Sequence, residues 1–312
     1  MALNSFYISK IHEKSDTFID LTAFDHIEGF NEEYKNQTFE YLTDKYENVV
    51  LRSEYIFDSR IAQKYPSMKF IFDIKTHIKH LGKLKDYNVH PDLKFKNFLC
   101  SFNGSDHVSR QLLTAILNNQ GYFDSDYCSK NFTYSDDKVT SQLDNLNLTD
   151  LQVRLYRKFF SNSTLFNDSV YSFGHVRYDH ATNIYNLEYK LTDSFLNLVS
   201  ETMATSYYPF FTEKFLYSVV TRGLFVVYAH PFWHSHLEKY YGFKKYDKIF
   251  DYSFDRIENP VKRLVALIEM ISKFKSLSTD DWCDLYHMEL DTIEYNYDHY
   301  FSGKYLKCLS HY

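Results

Sequence analysis

The chain has 312 residues, enough for two domains of ordinary size or one large one. A hydrophobic fraction of 44% is that of a globular protein, and a formal charge of −6 argues against a large nucleic-acid footprint, which needs clustered Lys and Arg. No apolar run approaches the roughly 18 residues that cross a bilayer, so no membrane span is expected.

Aromatic residues make up 19% of the chain, and the accompanying wealth of Asn, Asp and Lys assigns this excess to an A/T-rich genome rather than to an aromatic-binding role. Cysteines at 100, 128, 283 and 308 show neither CxxC nor metal spacing and read as reduced thiols of an intracellular, cytoplasmic protein. The opening MALNSFYISKIHEK has no apolar core, so no secretory leader is expected.

In chain order, TFIDLTAF (17–24) and KFIFDI (69–74) alternate like strands, and NEEYKNQTFEYLTDKY (31–46) has helical spacing. KNFLCSF (96–102) is a compact apolar run that predicts a buried strand. The turn NGSD (103–106) follows, then an amphipathic helix, HVSRQLLTAILNNQGYF, that closes near Gly121. Residues 133–168 are polar and predict loops and a domain crossing. Beyond them, FLNLVSET (195–202) reads as a strand, TEKFLYSVVTRG (212–223) as a helix, and LFVVYA (224–229) as a buried strand. HSHLEKYYG (234–242) reads as a short helix closed by Gly242, and ENPVKRLVALIEMISKF (258–274) as a helix with Pro260 in its first turn. In the tail, Ser278 or Thr279 is placed to cap a helix with Asp280 and Asp281 in its first turn. Alternating strands and helices predict an α/β layer with a parallel sheet.

Two polar clusters stand at the points where such a sheet binds ligands. Ser200-Glu201-Thr202 ends a strand, and strand C-termini of a parallel sheet face the ligand crevice. Thr212-Glu213-Lys214 opens a helix: Thr212 is placed to cap it, the Glu213 carboxylate can accept both ribose hydroxyls, and Lys214 with the helix start can hold a diphosphate. Arg222, at the far end, is placed to offset the carbonyl end of the helix dipole. SFNGSDHVSR (101–110) makes a strand, a small-residue turn and a helix start, a possible anion nest of Asn103, Gly104 and Ser105 with Arg110 one turn into the helix. It is no Walker loop, because Gly-Lys-Ser/Thr is missing. His230, His234 and His236 cluster, but Pro231 interrupts the helix that i, i+4 zinc ligation needs, so no metal site is expected; Phe232 and Trp233 with Pro231 read as a wall for a nucleobase.

Over 95–274 the chain resembles the small glycosyltransferase-like proteins of phages and marine bacteria. The likeness rests on the strand–polar loop–helix of 98–124, the Ser200-Glu201-Thr202 and Thr212-Glu213-Lys214 core, the Gly242-Phe243 step, and DYSFD (251–255) followed by NPVKRL (259–264). The Thr-Glu-Lys block is also similar to the donor motif of α1,3-fucosyltransferases. The resemblance implies a GT-B architecture: two Rossmann-like domains with a cleft between them and a C-terminal helical tail. It places an acceptor-binding domain at 1–150, a donor-binding domain at 151–275, and a tail at 276–312 that packs back on the first. It further implies transfer of a sugar from a UDP- or GDP-linked donor to a hydroxyl, without a metal or other cofactor. Glu213 would bind ribose, with Lys214 and Arg110 on the phosphates and Asn103, Gly104, Ser105, Glu201, Thr202 and Thr212 completing the donor site. The base would be Asp106 or His107, with Asp20, Asp25, Asp58 and Asp73 also open. The acceptor would be a hydroxymethylated base in phage DNA or a glycan, and a non-catalytic nucleotide-sugar-binding protein remains the alternative. The loop has fewer Arg than the resemblance calls for, and AHPFWHSH stands where a Gly/Pro-rich turn is expected.

Overall fold

The computed structural model describes residues 12–15, 18–20, 32–45, 49–53, 63–72, 84, 93–103, 107–130, 154, 188–201, 204 and 211–309. The chain is a mixed α/β protein with parallel sheets, compatible with a Rossmann-like fold.

The first sheet has the order β1 (His12–Ser15), β2 (Phe18–Asp20), β3 (Val49–Ser53), β4 (Met68–Phe72). β1 is antiparallel to β2, and the other pairs are parallel. Helix α1 (Glu32–Lys45) makes the β2–β3 crossover that parallel pairing requires. It buries Phe39 and Leu42, and Phe39 meets Tyr65 edge-on at 5.5 Å.

The second sheet is fully parallel: β5 (Asn97–Asn103), β6 (Tyr127–Lys130), β7 (Ser194–Ser200) and β8 (Leu224–Tyr228), in the order β6-β5-β7-β8. Numbered within the sheet, this is 2-1-3-4, a doubly wound order whose direction reverses between β5 and β7. The expected domain boundary at residue 150 runs through this sheet, because β5 pairs directly with β7 across the polar stretch. Composition placed the boundary there; long-range pairing, which composition does not report, overrides it.

β7 and β8 are buried on both faces, which is why they read as continuous apolar runs. On one face Phe98 and Phe195 are neighbours at 6.1 Å, and Trp282 stacks on Phe195 at 5.9 Å. Helix α2 (Val108–Asn119) and the single turn α3 (Tyr122–Ser125) link β5 to β6, with Gly121 left-handed between them, as expected. Helix α4 (Lys214–Val220) links β7 to β8. A turn α5 (Trp233–His236) continues into a π-helical turn at Leu237–Tyr241, stopped by left-handed Gly242.

Four helices complete the chain: α6 (Pro260–Lys275), α7 (Thr279–Met288), α8 (Leu290–Phe301) and α9 (Lys304–Leu309). Their starts follow local chemistry. Asn259 accepts the Lys262 N–H at 2.9 Å ahead of Pro260. Ser278 and Asp281 form a capping box. The tail packs beside the second sheet: Arg222 Nε donates to Glu294 at 3.1 Å, Tyr286 donates to the Arg222 carbonyl at 2.9 Å, and α8 lies against α4. Toward the residues before β5, Tyr300 donates to the Leu84 carbonyl at 3.5 Å and Cys283 to that of Leu93 at 2.6 Å.

Candidate functional site

Parallel strands carry their ligand-facing groups at their carboxyl ends, and the crevice is deepest where the strand order reverses. Here that point is the end of β5 and β7, and both sequence-predicted clusters converge on it.

Asn103 is the last residue of β5; it is 1% exposed and donates to Ser101 Oγ at 3.3 Å. His107 stands immediately before α2, and its carbonyl accepts the Arg110 and Gln111 N–H groups. Arg110, in the first turn of α2, is 2% exposed, and its guanidinium donates to the Ser200 carbonyl at 3.4 Å. That bond ties the start of α2 to the end of β7.

The next residue, Glu201, is wholly buried. Its carboxylate accepts the Thr212 N–H at 2.9 Å and the Thr212 hydroxyl at 2.6 Å, and it lies 3.9 Å from Lys214 Nζ. Lys214 Nζ donates to Thr212 Oγ1 at 2.9 Å and is 4.0 Å from Glu213. Glu201 is therefore a clamp that fixes Thr212 and Lys214, whereas the Glu213 carboxylate stays partly accessible, with a quarter of its side chain exposed. Burial pulls the Lys214 ammonium below the ordinary lysine range; Glu213 and Glu201 oppose that shift, and the Arg110 charge adds to it. Two cations thus share one buried neighbourhood whose tightly held anion is Glu201.

Thr212 is not the helix cap expected of it. Glu213 occupies that position and makes no side-chain cap bond, while the Thr212 hydroxyl is committed to Glu201. Arg222, just past the end of α4, turns to left-handed φ 51, pairs with Glu294 and lies over the Tyr297 ring at 3.4 Å. Gly104, Ser105, Asp106 and Thr202 lie outside the described residues, as do Asp25, Asp58 and Asp73; Asp20 ends β2.

The histidine cluster resolves into separate roles. His234 is a structural plug: its Nδ1–H donates to Asp255 at 3.1 Å, and its Nε2 accepts the Val227 N–H at 3.1 Å, satisfying the outer edge of β8. Burial pushes the Asp255 carboxyl up, but His234 outweighs it and leaves that carboxyl below its usual range. His230, at the end of β8, is 1% exposed, with Nδ1–H donating to the Pro231 carbonyl at 2.8 Å. Burial, reinforced by His236, lowers its pKa to about 3, so the ring is neutral at physiological pH. Among the described residues no group of three or more His, Cys, Asp and Glu is placed to hold a metal. Trp233 is no surface wall: it is fully buried against Phe211 and Phe215, while Phe232 is turned outward.

Sequence reasoning missed Arg263. It is 1% exposed in α6, and its guanidinium donates to the carbonyls of Ala229 (2.9 Å), Glu258 (2.9 Å), Ile257 and Ala204. One side chain therefore joins the loops after β7 and β8 to the segment before α6. Its signal was present: Arg263 shares the helix face of Leu267 and Ile271, an apolar stripe where an arginine needs internal partners.

No family model matches this chain, and neither the curated proteins nor the solved structures yield a match.

Proposed function

We propose that the chain is a glycosyltransferase that takes a sugar from a nucleoside-diphosphate donor, with the diphosphate held between Arg110 and Lys214. The observation that carries this reading is the convergence of two cations, the buried Arg110 and the partly buried Lys214, one from each side of the sheet's reversal point, around residues 200–201. Anions gain most where donors are fixed before they arrive, and Glu201 with Thr212 fixes Lys214 in that way. The start of α2 adds backbone N–H groups on the same side. Glu213, beside Lys214 and partly exposed, suits the ribose hydroxyls. The finer arrangement belongs to the same proposal: a GT-B form in which the first sheet supplies acceptor contacts.

In the reaction the acceptor oxygen forms a bond to the anomeric carbon as the bond from that carbon to the β-phosphate oxygen breaks. The acceptor proton passes to His107 or Asp106, and the charge gathering on the departing diphosphate is met by Lys214 and Arg110. Arg263 acts at a distance, holding the loops that shape the crevice.

The test is release of nucleoside diphosphate from UDP- and GDP-sugars in the presence of hydroxymethylated DNA or of glycan acceptors. Release that depends on both donor and acceptor supports the reading. Donor binding with no release over either acceptor class would instead make the protein a nucleotide-sugar-binding protein.

A further inference from the structure

The loop after β8 turns through Phe232 at φ 62 and ψ 19, a left-handed conformation that a bulky side chain rarely adopts. The turn is held from beneath. Phe232 N–H donates to the Asp255 carbonyl at 2.6 Å, and the Asp255 carboxylate accepts the His234 backbone N–H and its ring Nδ1–H, both at 3.1 Å. His234 is in turn bonded to Val227 in the edge strand. This frame sends Trp233 into the core and turns Phe232 out, with 40% of its surface exposed. Packing alone does not call for it: Gly or Asn fills such a position without strain, and an exposed Phe ring gains little from water.

The ring's surroundings suggest what it is for. Phe232 lies 6.2 Å from the His236 ring, which lies 5.5 Å from that of His230. His230 meets Phe211 edge-on at 6.0 Å, and Phe211 directly precedes Thr212 of the anion cluster. A line of rings thus runs from the Glu201–Thr212–Lys214 cluster to the surface along the carboxyl end of β8. Among the described residues the other exposed large apolar side chains, Tyr189, Met288, Leu290 and Tyr295, all sit on helices.

We infer that Phe232, with His236 beside it, is the platform on which the nucleobase of the bound nucleoside diphosphate stacks. The inference rests on the proposed diphosphate site and adds the element that recognises the base. A ring offers its π-face to any base, so this contact gives affinity with little selectivity among bases. Because burial keeps His230 uncharged, the line behind the platform is aromatic rather than cationic at neutral pH.

The experiment compares dissociation constants of uridine, guanosine, adenosine and cytidine diphosphates with that of inorganic pyrophosphate, for the full chain and for Phe232→Gly. Glycine suits the left-handed backbone, so this variant removes the ring without straining the loop. The expected result is binding of the preferred nucleotide weakened about 5- to 150-fold, the range found for removing one base-stacking ring, with pyrophosphate unchanged. Phe232→Trp should restore nucleotide affinity, and nucleotide should quench its new fluorescence. Unaltered nucleotide binding by Phe232→Gly would overturn the platform and leave the diphosphate site standing, as would equal affinity of the wild type for pyrophosphate and nucleotides. Failure of the wild type to bind any of these ligands would remove the diphosphate site and the platform together.

Discussion

Protonating His230 should unfold this protein progressively, and the size of the effect follows from where the ring sits. In the unfolded chain its imidazole takes up a proton near pH 6.5. In the folded chain burial, the neighbouring His236 and Arg263 hold it neutral down to about 3, against the weaker opposing pull of the Pro231 carbonyl and Asp255. Between those values the unfolded state binds more protons, so stability rises with pH and is lost as pH falls. At 1.36 kcal/mol per pH unit, His230 alone removes about 2 kcal/mol of stability at pH 5 relative to neutral pH, and about 4 kcal/mol by pH 3. Urea denaturation at pH 7.5, 6 and 5, on the wild type and on His230→Gln, isolates the His230 contribution. The variant cannot titrate, and its amide can still donate to the Pro231 carbonyl. The stability gap between the two should shrink by about 2 kcal/mol toward pH 5. A gap constant to within about 0.5 kcal/mol across that range would refute the assignment of a buried, neutral His230.

Replacing Glu201 by Gln keeps its volume but strips Lys214 of its wholly buried counter-charge; denaturant unfolding should show a loss of about 1–3 kcal/mol, toward the lower end because a quarter of Lys214 is exposed. Glu201→Ala, which also leaves both Thr212 donors without their acceptor, should lose about 3–5 kcal/mol. Gly242→Ala should cost about 2–4 kcal/mol, since a left-handed backbone is combined with contacts of 2.9 Å to His299 and 3.0 Å to Cys308. Gly121→Ala, equally left-handed but open, should cost only about 1–2 kcal/mol, and equal thermal shifts in the two would contradict the steric argument. Because burial lowers the Lys214 pKa, diphosphate affinity should fall as pH rises through the alkaline range below the ordinary lysine value of about 10.4, and Lys214→Arg should hold its affinity there.

Much of the fold was legible wherever the determinants are local. The apolar run 96–102 became β5, Gly121 and Gly242 stopped the segments before them, and Pro260 and Ser278 opened their helices. Both polar clusters were found because strand ends and helix starts mark a crevice in any parallel sheet. What stayed hidden depends on partners far along the chain. The β5–β7 pairing, which carries the second sheet across residue 150, spans nearly a hundred residues and leaves no periodic trace. Thr212 looked like a cap because capping chemistry is local, whereas its actual partner, Glu201, lies across the loop from β7. Likewise, nothing beside Trp233 and Phe232 in sequence says which ring enters the core; the His234–Asp255 bond decides it from twenty-one residues away.

A diphosphate held by Arg110 and Lys214 is the property from which the proposed activity follows. Calorimetric titration of the wild type and of Lys214→Ala with uridine and guanosine diphosphates at neutral pH tests this directly. Binding by the wild type, weakened about 10- to 150-fold in the variant as one charge-assisted hydrogen bond is lost, is the predicted result. Absence of binding by the wild type, or binding that Lys214→Ala leaves unchanged, would contradict it.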